Sequence, residues 1–369
     1  MKIALLGDIA PFGRYCLAEH PDLMDQFASV RDFLSQFDLV IGNLEAPFAL
    51  NERPIGGKSA TVKAHPANVG LLTALGVTHA TLANNHIGDF GRGAYERTKT
   101  CVEEAGIEWF GTEGKQVLIE QGGEKIALLG YCSYNTNPSA VPAGSGGGLN
   151  YLDAQAAQDA VRRNASNGFL SILAVHSGQE HVHMPSSDDV RFARGLADVA
   201  DYVYYGHHPH VVQGHERVAG SAIFYSLGNF VFDDVYTPRD PDKPLITLSE
   251  ANKTGAIGTV EIRNGQVAEM GVTPTYLGAD QVLIGDSVPG FDMAAYDTHL
   301  ATAGTPEYDQ NRASVIRAFI DSRRELRDFK WYLRRLNLNS LGIILKARKN
   351  ARLYREVFAS KLPLTEDRS

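Results

Sequence analysis

The sequence predicts an α/β protein, and three observations carry that reading. Apolar runs of strand length recur along the chain, helix-like stretches alternate with several of them, and polar residues able to ligate metal fall just after the apolar runs. With 369 residues and 44% hydrophobic content the chain can bury a large core. It is long for one average domain, so one large domain with an appendage is expected.

The strand-like runs lie at residues 2–7, 37–42, 78–83, 124–130, 169–175, 201–205 and 222–228. Residues 22–36, 66–75, 91–105, 153–165 and 187–200 carry apolar residues at helical spacing, and Asp153 and Ser187 suit the N-cap position. Asn264-Gly265, between 255–263 and 266–273, fits the positive φ angles of a tight hairpin, so antiparallel pairing joins the sheet system there. Pro138 to Gly148 has no periodicity and reads as a loop, either a lid or a plain connection. From about residue 305 the pattern becomes helical and basic, with Trp331, Tyr332, Leu333, Leu336 and Ile343 interleaved with Arg334, Arg335 and Lys346. The expected division is 1–280 for the main domain and 281–369 for a helical basic region.

Several function classes are disfavoured at this level. No apolar run approaches the roughly 18 to 20 residues that span a bilayer. The run after Met1-Lys2 is too short for a signal-peptide core and reads as a first strand. Cys16, Cys101 and Cys132 are widely spaced and odd in number, which argues against a disulfide framework and for a reducing compartment. The expected location is the cytoplasm. Net charge is −8, yet residues 312–361 hold 14 Lys and Arg against 4 Asp and Glu, leaving −18 for the remainder. A basic helical tail on an acidic body suggests docking to a membrane surface, an acidic polymer or another protein. The alternative is a solvated helix packed on an acidic face of its own domain. No nucleic-acid partner is expected, because the acidic body repels phosphates.

The chemistry is concentrated at strand ends. Asp8 follows the first run, Asn43 and Glu45 close the second, Asn84-Asn85-His86 follows the third, His176 follows the fifth, and His207-His208-Pro209-His210 follows the sixth. Loops at the carboxyl ends of strands in an α/β sheet converge on the ligand crevice. Imidazoles mixed with carboxylate and amide oxygens suit ions such as Mn, Fe, Zn or Co. A carboxylate can bridge two ions, which makes Glu45 the bridging candidate. Two ions roughly 3.5 to 4 Å apart can hold a bridging hydroxide and clamp the oxygens of an in-line displacement, which predicts hydrolysis at phosphorus or at a carbonyl.

The motifs GD at 7–8, GNLE at 42–45, ANNH at 83–86 followed by Asp89 and Gly91, HSGQE at 176–180, GHHPH at 206–210 and YSLGNF at 225–230 stand in order along about residues 1–275. In these the sequence resembles the CapA-type capsule and poly-γ-glutamate biosynthesis proteins, a branch of the calcineurin-like metallophosphoesterase superfamily. The resemblance implies a four-layer α/β/β/α sandwich with a helical C-terminal extension, holding two divalent ions such as Mn, Zn or Fe. It implies that Asp8, Glu45 and His210 serve one metal, and Glu45, Asn85, His176 and His208 the other. His86 would be the proton donor to the leaving group, with Asp89 fixing its tautomer and raising its pKa. Arg14 is the first candidate for gripping an anionic substrate and Lys58 the second. Active phosphoesterases usually begin with Asp-x-His, whereas this chain has Ala10 in the third position. His207, Glu180, His181 or His183 would have to compensate, although for His181 and His183 a surface or hydrogen-bonding role is favoured. Asn43 and Asn229 are read as ordering their loops through hydrogen bonds. Two functions follow: a metal-dependent hydrolase of a phosphoester or anionic polymer, or a non-catalytic polyanion-binding accessory of exopolymer assembly.

Overall fold

A strand buried on both faces is a near-continuous apolar run, and Lys2–Ile9 (β1) is buried at every position after Lys2. The computed structural model describes residues 1–58, 60–141, 148–236, 242–325 and 338–364. The Gly-rich stretch 142–147 and the aromatic-basic stretch from Phe329 to Leu336 lie outside these residues.

Two sheets form the centre. β1 is the hub of an eight-stranded sheet that also contains Leu39–Leu44 (β2), His79–Thr81 (β3) and Glu108–Phe110 (β4) on one side. The second sheet begins with Val117–Gln121 (β5), Glu124–Cys132 (β6), Leu170–His176 (β7) and Tyr202–His207 (β8). It ends in Ser221–Phe224 (β10) and, at its edge, His215–Val218 (β9). The chain then returns to the first sheet through Asn229–Val231 (β11), Thr254–Arg263 (β12), Gln266–Leu277 (β13) and Val282–Ile284 (β14). The apolar run 222–228 is therefore strand only to Phe224, and its remainder leads across to β11 of the first sheet. Gly228, at φ +68, makes the bend.

Facing side chains of both sheets, among them Ile3, Leu5, Ile41, Ile126, Ile172 and Val203, form the inner core. Ala28–Leu34 (α1), Val69–Ala74 (α2) and Gly91–Glu104 (α3) cover the outer face of the first sheet, and Ala154–Ser166 (α4) and Ser187–Ala197 (α5) that of the second. The result is the expected four-layer sandwich. Asp153 caps α4, accepting from Gln155 N and Ala156 N. The cap of α5 is Ser186 rather than Ser187: its hydroxyl accepts from Asp189 N, while Ser187 Oγ turns to Asp309. The helix expected over 22–36 begins as a 3₁₀ segment, Pro21–Phe27, a form common at helix N-termini. Asn264-Gly265 closes the β12–β13 hairpin with φ of 53° and 73°.

Beyond the sheets come Glu250–Lys253 (α6), Met293–Asp297 (α7), Pro306–Glu325 (α8) and Leu338–Val357 (α9). The last two pack on the main body: Tyr308 of α8 donates to Pro185 O, and Tyr354 of α9 donates to Asp188.

Candidate metal centre

Register brings the polar strand ends together. In the first sheet Asp8 pairs with Asn43 and Asn229, and Asn43 with Thr81. In the second, His176 pairs with His207. The segment that links β10 to β11 passes close to both β1 and β8 at this end because two glycines supply no side chain. A Cβ on Gly7 would lie 2.2 Å from Gly228 O, and one on Gly206 would lie 2.0 Å from Tyr225 O. This is the physical content of the glycines in the GD and GHHPH motifs.

The cluster that results is buried and polar. Asp8 Oδ1 accepts from Asn43 Nδ2 at 2.8 Å and lies 3.0 Å from His207 Nδ1, while Oδ2 lies 3.3 Å from His210 Nδ1. Glu45 Oε1 stands 3.6 Å from His176 Nε2 and 3.7 Å from His210 Nε2, and neither Glu45 oxygen has a hydrogen-bond partner among the described residues. Asn85 Oδ1 lies 3.1 Å from His176 Nε2, while its Nδ2 donates to Thr136 O. His208 Nδ1 and His207 Nε2 are likewise buried without a partner. Donor atoms of Glu45, His208 and His210 all lie within 4.8 Å of one another. His208 and His210 hold φ of +95° and +56°, and His181 +62°, conformations that non-glycine residues adopt at a cost and that cluster at functional sites.

The electrostatics suit a cation. Burial, then the Asp8 charge, pushes the Glu45 carboxyl well above 4.5. Burial of Asp8 acts in the same direction, but the His207 hydrogen bond and charge, with His210 and Asn43, outweigh it and lower its pKa. Burial holds His176 far below 6.5 and brings His208 down to about 3. Neutral imidazoles with free lone pairs beside an unpartnered carboxylate form a donor set that a divalent ion satisfies. An uncompensated buried carboxylate is otherwise costly.

Beside this cluster, His86 Nδ1 lies 2.6 Å from Asp89 Oδ2, and Ser139 Oγ donates to Asp89 Oδ1 at 2.6 Å. Lys58 Nζ donates to Asn85 O and stands 3.0 Å from His86 Nδ1 and 3.3 Å from Asp89 Oδ1. The expected upward shift of His86 is reversed. Burial and the Lys58 ammonium lower its pKa, and Asp89 only partly offsets them.

Not every sequence candidate comes to the cluster. Arg14 is turned to backbone: it donates to Gly278 O at 2.8 Å and Leu277 O at 3.3 Å, and to Tyr15 OH. His183 Nδ1 lies 2.8 Å from Val212 O and its ring faces Tyr296. His181 stays at the margin, 2.9 Å from Asn252 Nδ2 and 3.9 Å from Glu180 Oε2. Glu180 faces the imidazoles of His208, His210 and His181, which outweigh the effect of its burial and lower its pKa to about 2. Ala10 is buried in the core under the first sheet, and His207 and His210 are the rings beside Asp8. Asn43 does more than order its loop: besides Asp8 it lies 3.4 Å from His176 Nδ1 and accepts from Asn84 Nδ2. Asn229 Oδ1 lies 2.9 Å from His210 Nδ1 and orients that ring.

Among solved structures, the chain is similar to the NAD nucleotidase of Haemophilus influenzae, with 15% identity, a TM-score of 0.41, and coverage of 78% of this chain and 54% of that one. Among curated proteins it is 28% identical over 235 residues to the capsule biosynthesis protein CapA of Bacillus anthracis, covering 60% of this chain and 56% of that protein. It is 27% identical over 266 residues to the PGA biosynthesis protein CapA of Bacillus subtilis (strain 168), covering 69% of each. The match thus spans little more than half the length of the anthracis relative. The family model for the bacterial capsule synthesis protein PGA_cap matches residues 2–234, which include every residue of the cluster, and the chain belongs to that family.

Proposed function

We propose that this chain is a metal-dependent hydrolase acting on an anionic substrate, either a phosphoester or an anionic polymer of the capsule or poly-γ-glutamate kind. The observation that carries this reading is Glu45, fully buried, with neither carboxylate oxygen hydrogen-bonded among the described residues and the rings of His176 and His210 beside it. Asp8, Glu45 and His210 would hold one divalent transition metal ion, and Glu45, Asn85, His176 and His208 a second, with Mn, Zn and Fe the ions this donor set suits. Bound there, such ions supply Lewis acidity toward a phosphoryl or carbonyl oxygen and make water at the site more acidic. The chain's own residues orient and protonate. Asn229 and Asp8 fix the His210 ring. Asp89 engages Nδ1 of His86, so proton delivery to a leaving group would use Nε2.

A second reading is favoured by one observation: burial and Lys58 keep the His86 imidazole less basic than usual, which suits a proton donor poorly. In that reading the cluster recognises a polyanion as an accessory to exopolymer assembly. Among the described residues no helix is long and apolar enough to cross a membrane. The exposed Leu341, Ile344 and Leu345 of α9, next to Arg348 and Lys349, would instead rest on an anionic membrane surface or a partner protein.

Metal analysis of the purified protein, with hydrolysis of a generic phosphodiester and of poly-γ-glutamate by wild type and His86→Ala, separates the readings. The hydrolase reading expects bound metal in both proteins and a loss of turnover on the order of 10²- to 10⁴-fold in the variant. Bound metal without turnover selects the accessory reading. No metal after reconstitution with Mn or Zn sinks the ligand assignment.

A further inference from the structure

The C-terminal helix α9 reaches the rim of the cluster. It sits on the segment 134–137, where Asn350 Nδ2 donates to Asn137 Oδ1 at 2.9 Å, and the same segment supplies Thr136 O to Asn85. One turn earlier along α9, Lys346 extends toward the loop that carries Lys58. A Cβ built on Gly57 would lie 3.5 Å from Lys346 Cδ and 3.9 Å from its Nζ. Both distances are ordinary van der Waals contact, so the lysine stem lies directly against this loop, where Gly57 holds φ +77.

Lys346 is half-buried, and its ammonium makes no hydrogen bond or ion pair among the described residues. The nearby acid, Asp89, is already engaged by His86, Ser139 and Lys58. Burial lowers the Lys346 pKa, the Lys58 charge lowers it further, and Asp89 offsets them only in part. Two lysines thus come to one short loop, both within electrostatic reach of the Asp89 carboxylate. Like charges drawn together away from water are unfavourable unless an anion joins them. The other cations of this turn, Arg348 and Lys349, are exposed.

We propose that Lys346 and Lys58 form an oxyanion subsite beside His86, which holds a carboxylate or phosphate group of the substrate next to the reacting one. The C-terminal helix is then a specificity-determining wall of the site. The inference rests on the reading above that the substrate is anionic, but it does not require that the chain hydrolyse it.

The test is calorimetric titration of the full-length, Mn-reconstituted protein with two probes, inorganic phosphate and a short γ-linked glutamate oligomer. Wild type is compared with Lys346→Ala, Lys346→Gln, Lys346→Arg and the same-helix control Lys349→Ala. The expected result is roughly tenfold weaker binding of one or both probes by the alanine and glutamine variants, since a charge-assisted hydrogen bond is lost. Lys346→Arg should stay within about threefold of wild type, since it keeps the charge, and Lys349→Ala should match it. A loss confined to phosphate, or to the oligomer, identifies the oxyanion. Metal content and melting temperature, read in parallel, should be equal across the set; should the alanine variant melt early, the glutamine variant decides. Wild-type binding of neither probe, or unchanged binding in both variants, overturns the subsite. Lysine-dependent binding in a protein that hydrolyses nothing leaves the subsite standing and overturns only the hydrolase reading.

Discussion

Lys58 Nζ lies 3.0 Å from His86 Nδ1, the same ring atom that stands 2.6 Å from Asp89 Oδ2. A cation and an anion therefore compete for one face of the imidazole, and Lys58 also shares Asp89 at 3.3 Å. The pair His86–Asp89 alone would favour the imidazolium. Burial and the third member tip the balance toward the neutral ring.

Replacing Lys58 by Met should therefore raise the His86 pKa, because it removes a positive neighbour and leaves Asp89 in place. Proton-detected titration of the histidine rings in the metal-free protein reads this directly. An unchanged or lower His86 pKa in the variant would contradict the three-way geometry.

Glu45→Gln gives a signed stability prediction. In the metal-free protein, burial and Asp8 raise the Glu45 pKa above its reference of 4.5, so the stabilising contribution of its protonated form is complete below about 4.5 and lost as pH rises through the folded value. Glutamine suffers no such loss. The variant should become progressively more stable than wild type as pH rises from about 5 to 8, by about 1.4 kcal/mol for each unit of the shift. If Glu45 ligates an ion as proposed, added Mn or Zn should reverse the order, since the native carboxylate would bind it more tightly than the amide. Urea unfolding with and without chelator across this range is the measurement.

Arg14→Ala should act on stability and leave the metal centre alone. Its guanidinium ties the 13–15 turn to the end of β13 through Gly278 O and Leu277 O, and it pairs with Asp233 at 3.8 Å. Loss of these bonds should cost about 1 to 3 kcal/mol, seen as a lower denaturation midpoint. Metal content and phosphate affinity equal to wild type are expected; a selective loss of phosphate binding would restore Arg14 to the substrate site.

Much of the cluster was legible because its residues obey local rules. Asp8, His176 and His207 each lie at or near the end of a buried run, and a polar residue there has few structural uses. Glu45 and Asn85 follow in the adjoining loops. What was illegible depends on contacts distant in sequence. Arg14 looked free until β13, more than 260 residues later, supplied its acceptors. The direction of the His86 shift needs Lys58, 28 residues away, folded back onto the ring. Lys346 lies in a helix whose basic pattern reads equally well as solvated surface. The end of β10 at Phe224, midway through the run 222–228, was hidden for a related reason: a continuous apolar run does not show where its strand ends until its partners are known.

The pairing of β1 has a consequence for the making of the protein. Leu6 finds its partner at Ile257 and Asp8 at Asn229, so β1 must wait for nearly the whole of the two-sheet body before it is held on both sides. Its contacts close very long loops, and long-range pairing of this kind slows folding. Asp8 and His207, neighbours in the folded chain, are 199 residues apart and close a loop of the same order. Metal capture at this cluster would thus be an act of the completed two-sheet body, and a chain halted before Thr254 would carry every candidate ligand without the strand that completes the pairing of β1.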